Sequence, residues 1–164
     1  MNMNDGNAFY LLGGKYHRGI GGLPYNHEKA MELWNKAAEL GTCNAHAKIA
    51  SFENCHVELK KDREKARYHY QIAAMGGHEI ARHILGIMEL DKGNLSLAMK
   101  HWMISARAGF DESLKNVGGG YKRGHVTKDE YATTLRAYQS IRDEMKSDER
   151  AKATIMNELM QQLG

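Results

Sequence analysis

The sequence predicts an all-α chain built as about four stacked helix hairpins, and three observations point there. First, a short pattern recurs. Glu28-Lys29-Ala30 is followed by Ala37-Ala38 and Gly41, Glu64-Lys65-Ala66 by Ala73-Ala74 and Gly76-Gly77, and Ser96-Leu97-Ala98 by Ser105-Ala106 and Gly109, while Glu130-Tyr131-Ala132 opens a fourth copy. Ala30, Ala66, Ala98 and Ala132 lie 36, 32 and 34 residues apart, and a fixed period in the range of about 20–50 residues marks a repeat array. Second, Pro24 is the single proline among 164 residues. A ring that removes an N–H donor is hard to place in helix interiors, so its scarcity suits a mostly helical chain. Third, three Phe, two Trp and eight Tyr are more aromatics than a disordered chain carries.

Each block reads as two helices and a turn. The first helices are expected over 7–18, 44–55, 78–91 and 111–123, each holding an apolar–small pair: Leu12-Gly13, Ile49-Ala50, Leu85-Gly86 and Val117-Gly118. Small side chains let a neighbouring helix approach closely. The second helices are expected over 27–40, 62–75, 94–108 and 127–146. Asn26, Asp62, Asn94 and Thr127 stand at their starts as caps, and Thr127-Lys128-Asp129-Glu130 has the capping-box spacing. Gly41, Gly76 or Gly77, and Gly109 follow the second helices, where a left-handed residue ends a helix cheaply. The aromatics Tyr16, Trp34, Tyr68, Tyr70, Trp102, Tyr121, Tyr131 and Tyr138 are expected to fill the gaps between layers. A last helix over 148–163 carries Ile155, Met156, Leu159, Met160 and Leu163 on one stripe. It is expected to cap the bare end of the stack, with pairing of two chains through 155–163 as the alternative to a monomer.

These residues resemble the Sel1-like repeat family, a relative of the tetratricopeptide repeats. Block one matches through Ala8, Leu12, Gly13, Tyr16, Gly19, Lys29, Ala30, Trp34, Ala37, Ala38 and Gly41. Block two matches at its second helix through Asp62, Lys65, Ala66, Tyr70, Ala73 and Ala74, but Glu53 replaces the tyrosine and His56 the turn glycine. Block three has a shortened turn, and block four lacks the alanine pair. The resemblance implies a right-handed α/α superhelical solenoid, with repeats at 7–41, 44–77, 78–109 and 111–147 and a capping helix at 148–164. First helices would line its concave face. It also implies a non-catalytic adaptor or scaffold that holds a protein or peptide.

Counting from the apolar–small pairs, by analogy with related repeats, places the concave positions. Block one offers Asn7, Tyr10, Gly14, His17 and Arg18; block two Asn44, Ala47, Ser51, Asn54 and Cys55. Block three offers Ile80, His83, Ile87, Leu90 and Asp91; block four Glu112, Lys115, Gly119, Lys122 and Arg123. The binding residues expected from this set are Tyr10, His17, Arg18, Asn44, Ser51, Asn54, His83, Ile87, Lys115, Lys122 and Arg123. Cations at both ends and apolar residues between them suit an acidic partner with an apolar anchor.

Other functions find less support. The formal net charge is +3, and the densest charge run, Lys60 to Arg67, alternates in sign, so nucleic-acid binding is not expected. No stretch is apolar enough for membrane insertion. The N-terminus has neither the basic start nor the apolar run of a signal peptide. With two cysteines, Cys43 and Cys55, thiols in a cytoplasmic or other reducing compartment are expected. His78 and His83 lie five apart, about 140° around a helix, so they do not make the one-face pair that binds zinc. No metal or cofactor is expected. Neither a phosphate loop nor a G-x-S-x-G elbow occurs, and the paired cysteines and S-x-x-K of secreted β-lactam-binding relatives are missing. The rival readings are a structural subunit using the convex face or the ends of the array, and a small-ligand binder or enzyme.

Overall fold

The computed structural model describes residues 5–55 and 60–162, apart from the side chains at 54, 55, 60–62, 154 and 157–162. Eight helices occupy the described residues: α1 Gly6–Arg18, α2 His27–Glu39, α3 Cys43–Cys55, α4 Lys60–Met75, α5 Glu79–Asp91, α6 Leu95–Arg107, α7 Asp111–Lys122 and α8 Lys128–Gln162. The fold is all-α, as the repeat pattern predicts. The chain divides into two compact units, Met1–Met88 and Glu89–Gly164.

In the first unit, α1 and α2 pair and α3 and α4 pair, with α2 joined to α3. Block one closes around Ala30, Trp34 and Ile49, with Tyr10, Tyr16, Met31 and Ala38 packed against them. The reason for Gly13 is visible here: a Cβ at that position would stand 2.7 Å from the Trp34 indole. The alanines of block two serve the same end. Ala47 and Ala50 of α3, Ala66, Ala73 and Ala74 of α4, and Ala81 of α5 surround Tyr70, Leu85 and Met88. Ala47 is therefore buried, and is not the groove residue that the counting rule expects.

In the second unit, α6 packs on α7 and both touch α8. Its core is Ala98, Met99, Trp102, Met103, Val117 and Val126, flanked by Leu95 and Tyr131. The close approach falls at Gly120, where a Cβ would lie 2.6 Å from the Met99 sulfur. The expected Gly118 meets only ordinary contact with Tyr131 at 3.7 Å. Tyr131 stacks on Tyr121 with ring centroids 5.0 Å apart. Of the aromatics expected between layers, Tyr68 and Tyr121 do not go inside; they are 58% and 38% exposed.

Five of the helix ends follow one scheme. After α2, Thr42 N–H donates to the Ala37 carbonyl and Gly41 N–H to that of Ala38. The same crossed pair of bonds closes α4 at Gly77, α5 at Gly93, α6 at Gly109 and α7 at Gly124, satisfying carbonyls that the helix leaves open. Gly77 rather than Gly76 takes the left-handed conformation, with φ +88. The starts are less uniform. Asn26 accepts from Lys29 N–H at 2.9 Å, and Thr127 and Glu130 bond reciprocally as a capping box, at 3.2 and 2.9 Å. Asp5 caps α1, a start that the block pattern does not mark. Asn94 makes no cap bond, because its amide donates to the Glu89 carboxylate at 2.8 Å. Asp62 lies inside α4, which already contains Lys60.

The break expected at 147 is absent: α8 runs unbroken for 35 residues. Ser147 and Asp148 carry start signals, but without glycine or proline nothing stops the helix before them. Ile155 and Met156 of the expected cap are 56% and 60% exposed. Leu159, Met160 and Leu163 lie outside the described side chains.

Candidate binding clefts

The first unit carries two adjoining cavities on the side of its first helices. One, of about 190 Å³, is lined by Tyr10, Leu11, Gly14, His17, Arg18, Trp34 and Lys48. The other, of about 270 Å³, is lined by His17, Tyr25, His27, Trp34, Lys48, Ser51 and Phe52. Helical spacing explains the shared wall: Tyr10, Gly14, His17 and Arg18 recur at three to four residues along α1, and Lys48 and Ser51 do so along α3. The His17 ring centre lies 5.3 Å from the Trp34 ring, 5.5 Å from His27 and 6.4 Å from Tyr25. His27 rests on Phe52 at 3.7 Å. Trp34 donates its indole N–H to the Tyr10 carbonyl at 3.3 Å, so a buried ring forms the floor and ties α2 to α1.

A third cavity, of about 360 Å³, lies in the second unit, lined by Leu90, Leu95, Met99, Trp102, Asn116, Arg123 and His125. Its surface is mainly apolar, with Arg123, His125 and Asn116 as the polar members. A fourth, of about 430 Å³, is polar and lies where α1 and α3 begin, among Asp5, Asn7, Thr42, Cys43 and Asn44.

The expected binding residues are thus only partly brought together. Tyr10, His17, Arg18 and Ser51 meet in the paired cavities of the first unit. Asn44 belongs to the polar one, and Arg123 to that of the second unit. Lys115 and Lys122 are exposed on α7, His83 is half-buried and Ile87 exposed on α5, and none of them lines these four cavities. The side chain of Asn54 lies outside the described residues. The counting rule misses Tyr25, His27, Trp34, Lys48 and Phe52 in the first unit, and Leu95, Met99, Trp102, Asn116 and His125 in the second. One signal was available: Lys48 is the polar neighbour of Ala47, one step around the helix from the position the rule selects.

Among the described residues, no three His, Cys, Asp or Glu side chains converge as metal ligands. His78 is used as a cap, its Nδ1 accepting from Ala81 N–H at 3.2 Å. His46 and His69 do meet, Nδ1 to Nδ1 at 2.8 Å, bridging α3 and α4. Burial pushes both imidazoles below the ordinary histidine value. Beside them, the largely buried Glu53 carboxylate pairs with Lys65 at 2.6 Å. Among the described residues, no helix is long and apolar enough to cross a membrane.

The Sel1 repeat family profile matches residues 8–42 and 57–78, which carry block one and the second helix of block two. These two segments match the Sel1 repeat. Among solved structures, a Sel1 repeat protein from Oxalobacter formigenes aligns with 84% of this chain at 22% identity and a TM-score of 0.70. The protective antigen c5321 of uropathogenic Escherichia coli, which displays an SLR fold, aligns with 93% at 19% identity and a TM-score of 0.65. The chain spans 58% and 37% of the lengths of these two structures. At such identities the likeness is one of fold, and it extends Sel1-type architecture beyond the segments that the family profile matches. No curated protein sequence matches the chain. Sel1 repeats as a family generally mediate protein–protein interactions.

Proposed function

We propose that this Sel1-repeat chain is a non-catalytic adaptor that holds a peptide or protein partner against the faces of its first helices. The cleft of the second unit carries the reading. Leu90, Leu95, Met99 and Trp102 offer an apolar recess, and Arg123 stands at it with His125 and Asn116. A recess with a few polar groups at its margin suits one apolar side chain followed by an acidic one. Lys115 and Lys122, exposed on the same helix, add positive charge that steers an acidic partner. The proposal retains repeats at 7–41, 44–77, 78–109 and 111–147 and a partner that is neither nucleic acid nor lipid. Panning a random peptide library against the full chain tests it. The expected selection is a leucine or isoleucine next to aspartate or glutamate, and Arg123→Glu together with Lys122→Glu should abolish it. A library that yields no consensus, or one that the double variant still selects, rejects the reading.

The second helices favour a second reading as a structural subunit. Tyr68 and Met75 on α4, and Leu97 and Ile104 on α6, are exposed apolar pairs seven residues apart, a spacing that puts each pair on one helix face. If that face makes the contacts, Leu97→Glu with Ile104→Glu would break an assembly recovered from the native source, and Arg123→Glu would leave it intact.

A further inference from the structure

The paired cavities of the first unit differ in chemistry from the cleft of the second. Their walls are rings: Trp34 and Tyr10 on one side, His17 in the middle, and Tyr25, His27 and Phe52 beyond it. Among the described residues, their charged groups are the cations Arg18 and Lys48, with no aspartate or glutamate in either lining. Arg18 spends only its Nε, on the Gly14 carbonyl of its own helix at 3.1 Å. Neither Arg18 nor Lys48 is paired with a carboxylate among the described residues. Lys48 belongs to both linings, so its ammonium stands where the two cavities adjoin.

We propose that this cleft is a recognition site for an aromatic side chain flanked by a carboxylate, presented by a peptide segment of a protein partner. The inference rests on the adaptor reading and gives the first unit a ligand of its own. Size sets the first limit. A cavity of about 150 Å³ takes up a benzene ring, so 270 Å³ accommodates one aromatic side chain. It falls just below the roughly 300–1,000 Å³ usual for whole small-molecule sites. Ring chemistry sets the second. An incoming ring meets the faces and edges of His17, Trp34 and Phe52, and offset or edge-on packing adds about 0.5–1.5 kcal/mol beyond burial. Charge sets the third. A carboxylate beside that ring lies within reach of an ammonium and a guanidinium that have no acidic partner among the described residues, and charge-assisted bonds of this kind are the strong ones. Leu11, 62% exposed, extends the apolar margin along α1, which favours a chain running past the cleft over an isolated small molecule.

The test is a fluorescence-polarisation titration of the full chain with a labelled, C-terminally amidated peptide of glycine and serine bearing Glu-Phe-Glu at its centre. Saturable binding is expected. It should weaken about tenfold or more with Lys48→Glu or Arg18→Glu, both exposed positions whose variants are checked for fold by circular dichroism. Replacing the peptide's phenylalanine by alanine, or its glutamates by glutamine, should cost as much. Arg123→Glu should leave affinity unchanged. Absence of binding to the wild-type chain, or equal binding by the alanine peptide or by the Lys48→Glu chain, overturns the proposal. Loss with Arg123→Glu alone would place the peptide in the other cleft, overturning this inference while leaving the adaptor reading standing. Phenylacetate that binds as tightly as the peptide would make this a small-molecule site and overturn the peptide assignment.

Discussion

Gly13 and the His46–His69 pair show how much single positions decide. Gly13 has no side chain because the Trp34 ring occupies the place where one would begin. Gly13→Ala should separate α1 from α2 and cost about 1–3 kcal/mol, as over-packing does, read as a lower urea midpoint. The histidine pair makes stability depend on pH. Burial is the main cause that keeps both rings below their ordinary value of 6.5. For His69, Glu53 pulls the other way, while His46 and Lys65 act with burial; for His46 the Ala38 backbone opposes it. The unfolded chain therefore binds protons more readily than the folded one as pH falls below 6.5. Stability is at its full value above that pH and declines below it. Urea midpoints at pH 8 and pH 5 should differ, and His69→Gln should shrink the difference; an unchanged difference would show that the pair is not its source. Gly13 was legible in the sequence because its spacing repeats. The histidine pair was not, because residues 23 apart meet only through the packing of α3 on α4.

At the scale of elements, helix ends were easier to read than helix starts. Glycine has few substitutes at a left-handed terminus, so Gly41, Gly77 and Gly109 announce their turns. Starts accept many side chains, and a cap residue is free to bond elsewhere, as Asn94 does with Glu89. Asn26 and Thr127 are the starts where sequence and structure coincide. Thr127→Ala removes the hydroxyl that accepts from Glu130 N–H and should lower stability by about 1 kcal/mol, checked by chemical denaturation. The same alteration at Asn94 should cost the α6 start little, since no cap bond is lost there. The clefts were legible in part for a related reason. Counting along first helices selects Tyr10, His17 and Arg18 on α1, and these line the paired cavities. On α3 it selects Ser51, which lines one of them, and Ala47, which turns inward to the alanine-rich core while Lys48 faces out. The rings from the loop and from α2 lie beyond any rule confined to first helices.

For the molecule as a whole, the repeat period and the all-helical fold were legible because hydrophobic and small residues recur in register. The length of α8 was not, because start signals alone do not interrupt a helix. Each unit closes around a buried tryptophan, Trp34 at 2% and Trp102 at 4% exposure. Trp102→Ala should cost about 3–5 kcal/mol and raise amide hydrogen exchange through α6 and α7, where the cavity opens.

One consequence of α8 concerns its reach. At 1.5 Å per residue it extends about 52 Å, whereas α6 and α7 extend about 20 Å and 18 Å. From Asp143 onward every side chain described is exposed, so that stretch depends on its own backbone bonds and lacks the tertiary packing that supplies most helix stability in proteins. Lys146, Arg150 and Lys152 sit there as trypsin sites. Brief digestion should shear the stalk at those three positions first and leave α6 and α7 whole; mass spectrometry of the fragments would show whether the knife falls where the neighbours end.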